Sequence, residues 1–277
     1  MTTYDPFERG AAHIKLVDCR HTAHVTLCQH KPRREPTIDR INDDCYYVRS
    51  TSEIRFYDRE DKTHTKADNI RSIKRAFNQV KKIINCNYDV PENVRFVTLT
   101  YAANMQDNSR ISGDFRRFVR RMQGAYGRFK WLYVKEKQGR GAWHLHCLLF
   151  FDHKAPYMLN SDDDHPVRDM WGHGFVTIEA VKDDANNLGN YLCAYMTDDK
   201  ETGKKGARLL NYEAGVRLYN CSRDIIRPIE RSISFEDYKI LIADDHVQEL
   251  SSRDSIVRLK TGRDLHVRYK LYRTDHE

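Results

Sequence analysis

Two histidines one residue apart, His144 and His146, sit in the apolar run Trp143-His-Leu-His-Cys-Leu-Leu-Phe-Phe151. On a strand, residues two apart project from one face, about 6.6–6.8 Å from each other. Both imidazoles then point the same way and can converge on one divalent ion, while Leu145, Cys147 and Leu149 anchor the opposite face in a core. Glu136, just before the turn-prone Gln138-Gly-Arg-Gly141, offers a carboxylate on the neighbouring strand. Two imidazoles and a carboxylate leave coordination positions open for substrate oxygens. The set suits Mg or Mn polarising a phosphate, and Zn would also accept it. Tyr191 and Tyr195 form a second constellation, because a spacing of four puts both phenols on one face of a helix, one turn apart. A phenol with an ordinary pKa of about 10 attacks only with a cation or base beside it. The tyrosines are therefore nucleophiles if they face the histidines and core residues if they do not.

The elements that must position these groups follow from periodicity. Trp131 to Glu136 and Trp143 to Phe151 read as a hairpin, and Arg95-Phe-Val-Thr-Leu-Thr-Tyr101 as a buried strand. Ile70, Ile73, Phe77, Val80 and Ile84 recur at helical intervals between Asp68 and Ile84, leaving Lys74 and Arg75 on a basic outer surface. A second basic helix starts at Ser112 as N-cap, with Phe115, Phe118, Val119 and Met122 inward and Arg116, Arg117, Arg120 and Arg121 outward. These cations suit phosphate contacts or, equally, a solvated surface. A loop at 160–164, a strand at 175–181 and a helix at 184–198 follow. The remainder reads as a strand at 216–222, a helix at 235–250 and a terminal hairpin turning at Thr261-Gly-Arg-Asp264. Strands are expected before residue 60 at His13-Ile-Lys-Leu-Val-Asp and Ile54-Arg-Phe-Tyr.

With 277 residues, 40% hydrophobic and 31% charged, the chain can bury an ordinary core, which excludes disorder and collagen-like folds. No apolar run approaches the roughly 20 residues that cross a bilayer, nor is there a signal-like stretch at the start, so a cytoplasmic protein without membrane partners is expected. Lys and Arg outnumber Asp and Glu by 47 to 40, a formal +7, which favours a polyanionic partner. The seven cysteines are scattered and never spaced C-x-x-C, unlike a disulfide scaffold. Cys19, His21, His24, Cys28 and His30 have the residue types of a zinc site at none of its usual spacings. No G-x-x-x-x-G-K-[ST] string occurs, so any action on DNA proceeds without an ATP motor in this chain.

Three motifs in this order, Phe96-Val-Thr-Leu-Thr-Tyr101, His144-Leu-His146 and Asn190-Tyr-Leu-Cys-Ala-Tyr195, resemble those of the HUH endonucleases that initiate rolling-circle replication. Gly139-Arg-Gly-Ala-Trp-His144, Trp171-Gly-His-Gly-Phe175, Gly206-Ala-Arg-Leu209 and Cys221-Ser-Arg223 resemble replication proteins (Rep) of Gram-positive plasmids and mobile elements. The resemblance spans roughly residues 70 to 228. It implies an α+β fold with a central antiparallel sheet of ferredoxin-like or RRM-like type, the tyrosine helix lying across one face. It further implies that His144, His146 and Glu136 hold Mg or Mn, that Tyr191 is the nucleophile, and that Tyr195 serves a later transfer. Many relatives carry Lys three residues after the first tyrosine, where this chain has Ala194.

The expected organisation is a strand-rich extension over residues 1–67, the endonuclease domain over 68–228, and a C-terminal helix and hairpin over 229–277 packed on the same domain. The expected activity is metal-dependent nicking and joining of single-stranded or hairpin origin DNA through a 5′-phosphotyrosine, with a host helicase and polymerase following. Arg116, Arg117, Arg120, Arg121, Lys74 and Arg75 would track the backbone, and Trp131, Trp143 or Trp171 could stack on bases or sit in the core. A conjugative relaxase or single-strand transposase would use the same chemistry. A non-catalytic origin- or RNA-binding module would keep the sheet and use the histidines structurally. A zinc hydrolase of small substrates is disfavoured by the basic helices.

Overall fold

The computed structural model describes residues 6–7, 10–30, 38–42, 44–56, 66–158, 166–181, 188–197, 216–259 and 262–274. The chain is α+β with antiparallel sheets. It begins with β1 (His13–Asp18) and β2 (Thr22–Cys28), then β3 (Ile38–Arg40), β4 (Cys45–Val48) and β5 (Glu53–Phe56), which form a small sheet of their own. Next come α1 (Lys66–Asn87), β6 (Val94–Thr100), α2 (Asn108–Tyr126), β7 (Lys130–Lys137), β8 (Trp143–Phe150), the short α3 (Pro166–Trp171), β9 (Val176–Ala180) and α4 (Leu188–Thr197). The chain ends with β10 (Tyr219–Cys221), β11 (Ile229–Ile233), α5 (Phe235–Ala243), β12 (Val247–Arg258) and β13 (Asp264–Thr274).

The central sheet has the order β10-β7-β8-β6-β9. Both β6 and β7 pair antiparallel with β8, so they run parallel to each other and α2 joins them, a split β-α-β unit with β8 inserted. β8 is buried along nearly its whole length because helices cover both faces of the sheet. On one face Ile111, Phe115, Phe118 and Met122 of α2 pack against Val97, Leu99, Tyr133, Leu145, Cys147 and Leu149. On the other, Ile73, Phe77, Val80 and Ile84 of α1 and Leu188, Cys193 and Met196 of α4 pack against Phe96, Leu132, Val134 and Leu148. Period-2 alternation thus sorts each strand into two cores.

A second sheet, of order β11-β1-β2-β13-β12, unites strands from both ends of the chain, and α5 packs on it through Phe235, Tyr238 and Leu241. It meets α1 through polar contacts as well as packing. Glu230 of β11 is gripped by Lys15 of β1 and by Lys82 of α1 at 2.6 Å, and these two cations hold its carboxyl down to about 2. The buried Asn85 of α1 bridges His24 of β2, at 3.2 Å, to the backbone N–H of Gly189 in α4, at 3.1 Å.

Three local expectations change. Ser112 does not cap α2. The helix starts a turn earlier, where the Asp107 carboxylate accepts from the Ser109 backbone N–H at 2.9 Å, and Ser112 lies inside it. The helix expected over 235–250 stops at Ala243, opened by a Ser234–Asp237 capping box and ended by the Asp244-Asp245-His246 turn. Residues 247–258 instead form β12, because the edge of β13 offers an eleven-pair ladder that a continued helix would leave unmet. β11 has no signal of its own, and its pairing with β1 is what makes it a strand. The loop expected at 160–164 and the Gly206-Ala-Arg-Leu209 phrase lie outside the described residues.

Candidate functional site

Register on β7 and β8 builds the site. Glu136 lies directly opposite His144, and His146 lies opposite Val134 on one side and Thr98 of β6 on the other. All three polar side chains project on the face covered by α1 and α4, since they alternate with Leu145 and Cys147, which belong to the opposite core. The His144 Nε2 stands 3.1 Å from Glu136 Oε2, the His146 Nε2 2.9 Å from the same oxygen, and the two Nε2 atoms 2.9 Å from each other. The Glu136 and His146 side chains are almost wholly buried, at 3% and 4% exposure, with His144 at 12%.

This triangle fits a cation. Two neutral imidazoles carry one ring N–H each, and if both donate to Glu136 their two Nε2–H groups face each other at contact distance. With Nε2 unprotonated on both rings, three lone pairs and one negative charge converge in a buried space, which costs free energy unless a positive charge sits among them. Atoms about 3 Å apart are spaced as adjacent ligands of an ion with bonds of about 2.1 Å. Among the described residues this is the one converging group of three His, Cys, Asp or Glu ligands, and it could hold a divalent metal.

The outer partners set the ring orientation. Thr98 Oγ1 lies 3.4 Å from His146 Nδ1, and Gln138 Nε2 lies 3.3 Å from His144 Nδ1. Contacts at Nδ1 direct each Nε2 toward Glu136. Phe96 stacks on the His146 ring, centroids 5.7 Å apart. Sequence reasoning missed Thr98 and Gln138 as partners. Their signal lay in the alternation of β6, which puts Thr98 and Phe96 on one face, and in the turn residue next to the hairpin.

The other expected residues are distributed unevenly. Tyr191 and Tyr195 lie on α4, and their side chains are outside the described part of the structure. The helix itself packs on the same face of the sheet as the His–Glu group, through Leu188, Cys193 and Met196. Its first turn meets α1 closely, because Gly189 has no side chain there: a Cβ would stand 2.5 Å from the Lys81 carbonyl oxygen. Lys74 and Arg75 are exposed on α1, whereas Arg116, Arg117, Arg120 and Arg121 are exposed on α2 across the sheet. The six cations therefore do not form one surface. Arg117 pairs with the buried Asp114, which also accepts from the Tyr101 hydroxyl at 2.9 Å, and Arg121 donates to the Met170 carbonyl at 2.9 Å. Burial first, and that bond second, push the Tyr101 phenol well above its ordinary range.

Trp143 and Trp171 are core residues at 2% and 1% exposure, and Trp131 is only partly covered. The Cys19–His30 residues form no converging set of three ligands. Cys19 instead packs against Cys86 of α1, whose thiol hydrogen bond, with His24 beside it, lowers Cys19 to about 6 and raises Cys86. No described helix is long and apolar enough to cross a membrane.

Residues 94–200 match the model of a family described as replication-associated protein ORF2, which supports a replication initiator. That span runs from β6 to just beyond α4 and contains the His–Glu group and both tyrosines. No curated protein and no solved structure matches the chain.

Proposed function

We propose that this chain is an HUH endonuclease that nicks and rejoins single-stranded DNA at an origin, initiating rolling-circle replication of a plasmid, phage or integrated element. The observation that carries the reading is the convergence of His144, His146 and Glu136 on the sheet face where the Tyr191–Tyr195 helix packs. His144 Nε2, His146 Nε2 and Glu136 Oε2 hold Mg or Mn. Bound there, the ion supplies polarisation of a non-bridging oxygen of the scissile phosphate. Tyr191, once its phenol proton is lost, attacks phosphorus, and the 3′-oxygen leaves with a proton, so one phosphodiester bond is exchanged for a 5′-phosphotyrosine. Exchange conserves the bond's free energy, so a later 3′-hydroxyl can reverse the step without ATP, in keeping with the absence of a phosphate-binding loop. Tyr195, one turn on, is placed for a second transfer. Ala194 supplies no cation between them, so charge on the phosphate is met by the ion site.

Residues 68–228 form the nuclease unit on this reading. The sheet built jointly by residues 1–67 and 229–277 flanks it and is available for origin recognition. A host helicase and polymerase complete replication in the cytoplasm.

The test uses single-stranded oligonucleotides from DNA flanking the gene, with Mn or EDTA, resolved under denaturing conditions. A Mn-dependent protein–DNA adduct is expected, absent in Tyr191→Phe and His146→Ala. Loss with Tyr195→Phe in place of Tyr191→Phe would reverse the tyrosine roles. No adduct on any strand, with binding unchanged in both tyrosine variants, would replace the nuclease by a binding module.

A further inference from the structure

The face of the central sheet turned away from His144 and His146 carries a groove of about 480 Å³ that the cation site and α4 do not use. Arg116 of α2 lines one side, Arg217, Arg223 and Arg227 the other, and the rings of Trp131 and Tyr133 contribute to its lining. No Asp or Glu lines it, and none of the four guanidinium groups has a carboxylate partner among the described residues. Arg116, Arg217 and Arg227 each spend one N–H on a local acceptor, Ser112 O, Tyr219 O and Cys221 Sγ, which orients the fork and leaves its other donors available. Four uncompensated cations around one concavity repel each other and attract phosphate oxygens.

The aromatic surface narrows the ligand further. Trp131 and Tyr133 are alternate residues of β7, their rings parallel within 6° and 5.8 Å apart, and Phe115 meets both edge-on. A flat aromatic platform beside arginines is the arrangement that receives an unpaired base together with its phosphates. A base inside a duplex cannot reach such a platform, so the strand must be single. The volume admits about one nucleotide, and arginines on both walls reach the phosphates before and after it.

We propose that this groove binds single-stranded DNA, one base against Trp131 and the flanking phosphates among Arg116, Arg217, Arg223 and Arg227. The proposal rests on DNA being the substrate, as proposed above. Because the groove is across the sheet from the reacting groups, it holds a stretch of strand away from the scissile bond and anchors it there.

The full chain is titrated with a labelled dT20 oligonucleotide in EDTA, where no strand exchange takes place, reading anisotropy and tryptophan fluorescence. Failure of the nicking reading therefore leaves this result unaffected. Trp131 is the one partly exposed tryptophan of the three, so quenching on binding reports this groove. The double variant Arg223→Gln/Arg227→Gln is expected to bind at least tenfold more weakly. Its slope of log affinity against log salt should fall by about 1.4, since each single-strand phosphate contact contributes about 0.7. Trp131→Phe is expected to bind while losing the quench, and thermal melts of both variants establish that they fold. Unchanged affinity in the arginine variant, quenching that survives in Trp131→Phe, or no binding of dT20 by the wild type would overturn the proposal. Free dTTP displacing the strand at equal concentration would assign the groove to mononucleotides and also overturn it.

Discussion

Gly189→Ala tests whether the tight α1–α4 seam positions the tyrosine helix. An added Cβ would stand 2.5 Å from the Lys81 carbonyl oxygen and 2.6 Å from Asn85 Oδ1, where ordinary contact begins at 3.4 Å. The first of these is backbone in the middle of a buried helix and cannot swing aside. The start of α4 must retreat by the difference, about 0.9 Å, which overpacking data place at about 1–3 kcal/mol. The retreat also stretches the bond from Gly189 N–H to the buried Asn85, 3.1 Å long, adding about 1 kcal/mol. A melt should therefore fall on the order of 5–10 °C. If Tyr191 attacks a phosphate held at the His–Glu group, a shift near 1 Å lowers adduct formation on the order of 100-fold. Mn affinity, measured by calorimetry, should stay within twofold, since β7 and β8 are untouched. A wild-type melting temperature together with a wild-type adduct rate would show that α4 is not held by this contact, and the reasoning from close approach would fail.

Two further outcomes follow from single contacts. Thr98→Val removes the oxygen at His146 Nδ1 at nearly constant volume, and Mn affinity by calorimetry should fall on the order of tenfold; a change under twofold would dismiss Thr98 as an orienting partner. Glu230→Gln should destabilise the chain by about 1 kcal/mol at pH 7, after discounting for the part-exposed lysines around it. Since its folded pKa is lowered to about 2 from 4.5, that stabilisation is complete above pH 4.5 and fades as pH falls toward 2. Denaturant melts of the two proteins should accordingly converge in acid, and a constant gap would refute the ion-pair origin.

Much of the site was legible in the chain because its geometry is local. A His-x-His pair on a strand shares a face whatever the strand packs on, and a short hairpin brings Glu136 opposite His144 by register alone. The basic amphipathic helices, the buried β6 and the hairpin itself follow from apolar periods of 3.6 and 2. Even so, Ser112 was a plausible cap that lost to Asp107, because capping depends on which side chain is free at the actual first turn.

Tertiary structure alone decided what depends on partners distant in sequence. Which face α4 covers is set by packing against α1, about a hundred residues earlier, and by the absence of a side chain at Gly189. That the two basic helices lie on opposite faces, and that Arg217, Arg223 and Arg227 close a groove with Arg116, follows from the strand order β10-β7-β8-β6-β9. Residues 229–233 and 247–258 became strands because β1 and β13 offered unpaired edges, against weak or helical local preference. Backbone hydrogen bonding must be satisfied somewhere, and where a local pattern is weak the partner that supplies it determines the structure.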